Sequence, residues 1–373
     1  MSEVDEAATV GCLLGTAIGD AVGLPFEGLS RRRVQRFCAG RALNYRFFLG
    51  HGFCSDDTEH SCMVAQALLA ARAAESEPSR FEANFVAKFR RSLAWRLRFW
   101  LLGLPAGIGL ATLRSLVKLW FDPLTRGEGV NSAGNGPAMR SAIIGVCLAH
   151  DPEAMKLAVR ASTRLTHTDP RAEQGALAMA LAASFAARRT IAPARESFPL
   201  AFEHMTSTGC GDASELCGLI RRAAASARGG ESTETFAQSL GLNQGVSGFV
   251  MHTAPVALHA WFRHENDYEA AITAAVNCGG DTDTVAAIVG AIVGARVGEA
   301  GIPARWRAGL WEWPRSSTWI VALGRRLAHS FSGSRRLPPL PPLPLSPACL
   351  VLRNLLFMMV VLLHGFRRLL PPY

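Results

Sequence analysis

Residues 284–297 read TVAAIVGAIVGARV, and no other stretch constrains the fold as strongly. It is apolar on nearly every face of a helix, so protein rather than water must surround it. Gly290 and Gly294 are four residues apart and share one face, where missing side chains let a neighbouring backbone approach closely. The stretch is too short to span a bilayer, and acids crowd its start. Those acids pose the main question. CGGDTD runs directly into the helix, and like charges at a buried helix start repel each other and lose their hydration.

The rest of the chain supplies helices to wrap the central one. Periodic apolar patterns run over 10–22, 55–74, 81–100, 139–150, 172–188, 213–227 and 268–275, and no segment alternates as a strand would. Alanine and leucine are abundant while valine and isoleucine are modest, which favours helix. The expectation is an all-α, compact multi-helix domain over residues 1–330 of the 373. Residues 331–347 (RRLPPLPPLPLSP within them) are a proline-rich linker expected to be extended. Residues 348–373 form an apolar and basic tail. Its uninterrupted apolar run, 355–363, is too short to span a bilayer and is preceded by Arg353 and Asn354. A membrane-touching or partner-docking helix is one reading of this tail; the expected state is an extension with little fixed structure.

The formal charge of +9 invites a nucleic-acid reading, but the basic residues do not cluster for one. Five arginines lie in the tail after residue 330, which has no acid; without it, 34 basic residues face 30 acidic ones. Only Lys88, Lys118 and Lys156 are lysines, and no dense basic run interleaves with aromatics. No nucleic-acid partner is expected. The nine cysteines form no C-x-x-C pair and no zinc spacing, and the first residues are acidic where a secretory leader is basic. A reduced, cytoplasmic monomer is expected.

Two acid clusters, each directly before a helix, carry the chemistry. One is Ser55-Asp56-Asp57-Thr58; the other is Asp281-Thr282-Asp283-Thr284. Either alone would pass as an ordinary N-cap. Together they exceed that need, since one cap uses one side chain. Carboxylates and hydroxyls are hard donors suited to Mg²⁺, Mn²⁺ or Ca²⁺, and two such helix starts would suit a pair of ions. Gly279 and Gly280 would turn the backbone tightly into the site. Glu27, in GDAVGLPFEG, offers a third carboxylate or is a solvated loop residue. The glycine-rich stretches PAGIG (105–109) and NSAGNGPAMR (131–140) could present N–H groups to a phosphate or be plain turns. Arg140 could pair with a phosphate or with a structural carboxylate. His167, in THTDP, could stack on a base or be structural. Nothing marks an activated nucleophile.

The ordered motifs GCLLGTAIGDAVGLPFEG, SDDTEHSCMVAQALL, PAGIG, GNGPAMRSAIIG, LTHTDPRAEQGALAMA and NCGGDTDTVAAIVGAIVGARVG resemble the ADP-ribosylglycohydrolase family over residues 8–300. The resemblance implies a compact all-α fold, two Mg²⁺ or Mn²⁺ ions, and hydrolysis of the bond between ADP-ribose and a protein side chain, typically arginine. Ser55, Asp56 and Asp57 match its first ligand group; Asp281, Asp283 and Thr284 match its second. Glu27 matches the glutamate of its PFE turn, near the scissile bond. Gly107, Gly109 and the loop Ser132, Gly134, Asn135, Gly136 match segments that hold diphosphate and ribose. His167 matches a residue near the adenosine, and Phe249 lies in a segment lining the cleft. Ser55 stands where threonine is commoner and keeps the hydroxyl. The proton acceptor for the attacking water is then Glu27, Asp56 or Asp281. Two readings compete: hydrolysis of free ADP-ribose derivatives such as O-acetyl-ADP-ribose, and non-catalytic ADP-ribose binding.

Overall fold

The computed structural model describes residues 4–38, 42–73, 81–121, 128–332 and 338–368. Among them are eighteen α-helices and no strand, only isolated bridges between loops. The central helix, Thr282–Val297, is buried along nearly its whole length. Its main partner is the N-terminal helix, Glu6–Gly23, started by Asp5, whose side chain accepts from the Ala7 N–H at 3.0 Å.

These two helices are in backbone contact. A Cβ added at Gly11 would lie 2.0 Å from the Gly294 carbonyl oxygen, and one at Gly15 would lie 2.2 Å from that of Gly290. The reverse holds too: a Cβ at Gly290 would lie 2.3 Å from the Gly15 oxygen. The expected use of Gly290 and Gly294 is therefore observed, and the N-terminal helix answers them with glycines at the same spacing. The antiparallel pair continues through Gly19 and Ala286 to Gly23 and Thr282. There the Thr282 hydroxyl donates to the Gly23 carbonyl at 2.9 Å. The close packing thus fixes where the second acid cluster begins relative to the turn holding Glu27.

One expected helix is broken. The pattern over 139–150 becomes Gly136–Met139 and Ala142–Cys147, separated by the buried Arg140 and Ser141. Residues 338–346 are extended, as their prolines require, and lie against the domain. The Gln66 amide pairs with the Leu343 backbone in both directions at 2.8 Å.

The tail departs most from expectation. Pro347–Arg367 is a helix, started by Ser346, whose hydroxyl accepts from the Cys349 N–H. Its polar residues hold it to the domain. Arg353 donates to both Glu312 carboxylate oxygens at 2.9 and 2.7 Å and also reaches the Cys54 carbonyl. Arg315 pairs with Glu59 beside it, and the Trp100 indole N–H donates to the same carboxylate. Asn354 donates to the Gly103 carbonyl at 2.8 Å, and His364 contacts the Pro25 carbonyl at 3.2 Å. The apolar run suggested little fixed structure because its few polar residues have partners only in distant parts of the chain.

Gly290→Val should lower unfolding stability by about 3 kcal/mol or more, since no shift of a flexible side chain can relieve a clash with backbone. Gly218→Ala, where nothing lies within 4 Å, should instead be stabilising by about 0.5–1 kcal/mol. Arg353→Leu should cost about 3–5 kcal/mol by stranding Glu312. Denaturant unfolding of the three variants measures each value.

Candidate active site

The starts of the Asp56–Ala73 and Thr282–Val297 helices meet. The Ser55 hydroxyl donates to Asp57 Oδ2 at 3.0 Å, and the Thr284 hydroxyl donates to the same oxygen at 3.1 Å. Asp57 Oδ1 and Asp283 Oδ1 are buried with no hydrogen-bond partner among the described residues. Ordinary capping explains one of these groups, because Ser55 Oγ accepts from the Asp57 N–H at 3.2 Å. It does not explain Asp281, which sits at the cap position yet makes no capping bond. Asp281 Oδ2 instead accepts from the Asn135 amide at 2.7 Å, and that amide also donates to the Thr253 hydroxyl.

The glycines before Asp281 have backbone reasons. Gly279 and Gly280 have φ of 70° and 81°, and a Cβ on Gly280 would lie 2.0 Å from the Val246 carbonyl oxygen. Gly280 accepts from the Gly28 N–H at 2.7 Å and donates to the Leu29 carbonyl at 2.8 Å. The turn carrying Glu27 is thereby tied to the backbone that leads into Asp281.

Sequence reasoning missed Asp20. It is fully buried in the N-terminal helix and accepts from the Ser55 N–H (3.0 and 2.9 Å), the Thr58 N–H (3.2 Å) and the Thr58 hydroxyl (2.5 Å). It therefore holds the first acid cluster to the glycine-packed core. The available signal was a lone aspartate inside an otherwise small and apolar helix.

A cavity of about 560 Å³ opens here. Glu27, Ser55, Asp56, Asp281, Asp283 and Thr284 line it, with Gly107, Gly109, Gly134, Asn135, Gly136 and His167 along other walls. Asp57 lies beneath this lining, bonded to Ser55 and Thr284. Ser132 and Phe249 are not among the lining residues. Ser132 accepts from the Gly134 N–H, and the Phe249 ring packs against His252 and the Arg171 guanidinium. Thr112, Ser247, Phe357 and Val361 line the cavity and were not anticipated, because they lie outside the acidic and glycine-rich motifs; Met139, within NSAGNGPAMR, lines it too. Arg140 takes neither suggested role. It is buried and donates to Ser162, Thr166 and the Gly136 carbonyl, bracing the walls that carry Gly136 and His167.

The electrostatics follow from crowding. Burial pushes Asp20 up to about 7 against the stabilising bonds from Thr58 and Ser55. Burial and then neighbouring carboxylates hold Asp56, Asp57 and Asp283 well above the aspartate range. Glu27 has appreciable accessible surface yet protein packed on most sides; that desolvation and the Asp281 charge raise it, and Arg368 opposes them. Burial, then the Arg140 charge, lowers His167 to about 3, so its ring is neutral near pH 7. Among the described residues, no three His, Cys, Asp or Glu side chains close into a ready cation cage.

The described residues form an all-helical domain with one cavity lined by both carboxylates and glycine-rich backbone. The sequence model described as ADP-ribosylglycohydrolase matches residues 1–336, and the chain belongs to that family. It is 27% identical to the ADP-ribosylhydrolase ARH3 of Gallus gallus, over 79% of this chain and 87% of that protein. It is 24% identical to the ADP-ribosyl-[dinitrogen reductase] glycohydrolase of Rhodospirillum rubrum, over 80% and 88% respectively. A solved structure titled ADP-ribosylglycohydrolase-related protein complex has the same fold, with a TM-score of 0.63 and 24% identity, covering 87% of this chain and 98% of that one. Family membership supports an enzyme that hydrolyses ADP-ribose linkages.

Asp20→Ala removes the acceptor for three buried donors and should cost about 2–3 kcal/mol in denaturant unfolding. Asp20→Asn, which keeps one acceptor oxygen, should lose less.

Proposed function

We propose that the chain is a divalent-cation-dependent hydrolase that releases ADP-ribose from a protein side chain, arginine in particular, reversing mono-ADP-ribosylation. The observation that carries this reading is the meeting of two acidic helix starts at one end of a cavity whose other walls are glycine-rich backbone and a neutral histidine. The carboxylates suit divalent cations, and the backbone at Gly107 and Gly109, where an added Cβ would meet nothing within 4 Å, is open to the approach of a diphosphate. The cavity volume lies within the range of small-molecule sites.

The donor set suits two Mg²⁺ or Mn²⁺ ions. Ser55, Asp56, Asp57, Asp281, Asp283 and Thr284 offer only oxygen, and the buried orphan oxygens of Asp57 and Asp283 call for a cation. When bound, such ions supply charge neutralisation and Lewis-acid polarisation of hydroxyl groups. The chain's own residues do the rest. Asn135 orients Asp281 through one oxygen and leaves the other free to accept a proton. Glu27, raised by desolvation and the Asp281 charge, faces the same space and is the second candidate for the proton taken from water; Asp56 is the third. His167 presents a neutral ring suited to stacking on a base. Water attack at the anomeric carbon then depends chiefly on positioning.

Asp281→Asn should lower release of ADP-ribose from Arg-linked protein by at least about a hundredfold while leaving the fold intact. Full activity with Mg²⁺ in that variant would overturn the assignment. Parallel assays on Ser-linked protein and on O-acetyl-ADP-ribose, with Mg²⁺, Mn²⁺ or EDTA, separate the substrate classes.

A pH dependence tests the cation directly. Folded-state carboxyl groups raised above their ordinary value add stability that is complete below about pH 4 and is lost as pH rises through about 7, the value for Asp20. The EDTA-treated protein should therefore melt at a lower temperature at pH 8 than at pH 5. Mg²⁺ or Mn²⁺ should restore the loss at pH 8. A melting temperature unmoved by either cation would remove the metal centre from this reading.

A further inference from the structure

The C-terminal helix is amphipathic in the reverse sense. Arg353, Asn354 and His364 face the domain, while the opposite face is apolar. Leu352, Leu355, Met359, Leu362, Leu363 and Phe366 are between 51% and 67% exposed, at the three- and four-residue spacing of one helix face. The surface continues beyond the helix. Leu102 and Leu104, each more than half exposed, flank Gly103, whose carbonyl receives the Asn354 amide. Phe99 is 61% exposed, stacks on Trp95 and meets Trp120 edge-on. Single exposed apolar residues are ordinary, but a contiguous run from two parts of the chain marks an interaction surface.

The surrounding charge selects the occupant. Between residues 83 and 121, and again from 331 to 373, every charged side chain is Lys or Arg. A second copy seated symmetrically on this face would set like charge against like. An anionic lipid surface complements both parts, taking up the apolar side chains and attracting the net positive charge these segments keep after Glu312 neutralises Arg353. The helix has 21 residues, and an 18-residue window of it has mean hydropathy 2.0, long and apolar enough by length and composition to cross a bilayer. Its arginine–carboxylate pairing with Glu312 holds it against the domain, so the geometry is that of a helix lying in the interface plane.

We propose that this face docks the protein on anionic membranes, with the C-terminal helix lying along the bilayer surface. Phe357 and Val361 of the same helix line the cavity, so docking brings the cavity close to the lipid surface. This inference does not depend on which ADP-ribose linkage is cleaved.

The test is co-sedimentation of the full chain with phosphatidylcholine vesicles, with and without roughly one third phosphatidylglycerol. Binding is expected only to the anionic vesicles and should weaken as salt is raised. Leu355→Glu/Leu363→Glu, both outside the cavity lining, should bind about tenfold more weakly or worse. Its melting temperature and hydrolysis of soluble substrate should be unchanged. Failure to bind anionic vesicles, or equal binding to neutral ones, would overturn the proposal. So would a dimer in sedimentation equilibrium that the same double variant dissociates, since a second copy would then be the occupant.

Discussion

The contact between the Glu6–Gly23 and Thr282–Val297 helices is the constraint on which the rest of this structure depends. Glycine against glycine, at Gly11 with Gly294 and Gly15 with Gly290, brings the two backbones closer than any side chain allows. Two segments far apart in sequence are thereby locked in one antiparallel register. That register sets the Glu27 turn beside the start of the central helix, where Gly280 bonds to Gly28 and Leu29. It also fixes Asp20, whose carboxylate holds the Ser55–Thr58 helix start. Close packing of an apolar helix pair thus positions polar groups at its end.

Those polar groups are held at an energetic cost. Buried carboxyl groups of like charge are pushed toward their protonated forms, and two of their oxygens lack a partner among the described residues. Proteins concentrate such arrangements where a ligand compensates them. The remaining cavity walls are braced without charge crowding. Arg140 draws the Gly136 and Thr166 segments together through hydroxyls and carbonyls, and its charge adds to burial in lowering the basicity of His167.

The C-terminal segment shows how polarity within an apolar sequence directs assembly. Arg353 and Asn354 interrupt a run that would otherwise suit lipid, and they bond to Glu312, Cys54 and Gly103. These two residues decide which side of the helix meets the domain and leave an apolar side outward. The proline-rich stretch before it carries the chain across the core, using backbone groups that prolines leave available to Gln66 and Ser330.

Much of this was legible beforehand. A helix apolar all round had to be central, and Gly290 and Gly294 had to face a close neighbour. Two acid clusters at helix starts exceeded what capping needs. These conclusions rest on local pattern and the cost of burying charge, which residue order alone determines. Other features depended on residues brought together from distant parts of the chain. The glycines answering Gly290 and Gly294, Asp20 as the brace behind Ser55, and Arg140 as a structural residue belong here. So do the placement of Ser132 and Phe249 outside the cavity lining and the docking of residues 347–367. A hydrogen bond or backbone clash between residues tens to hundreds of positions apart leaves no periodicity in the sequence. Only the tertiary structure decided those pairings, because each joins segments that only the folded chain brings together.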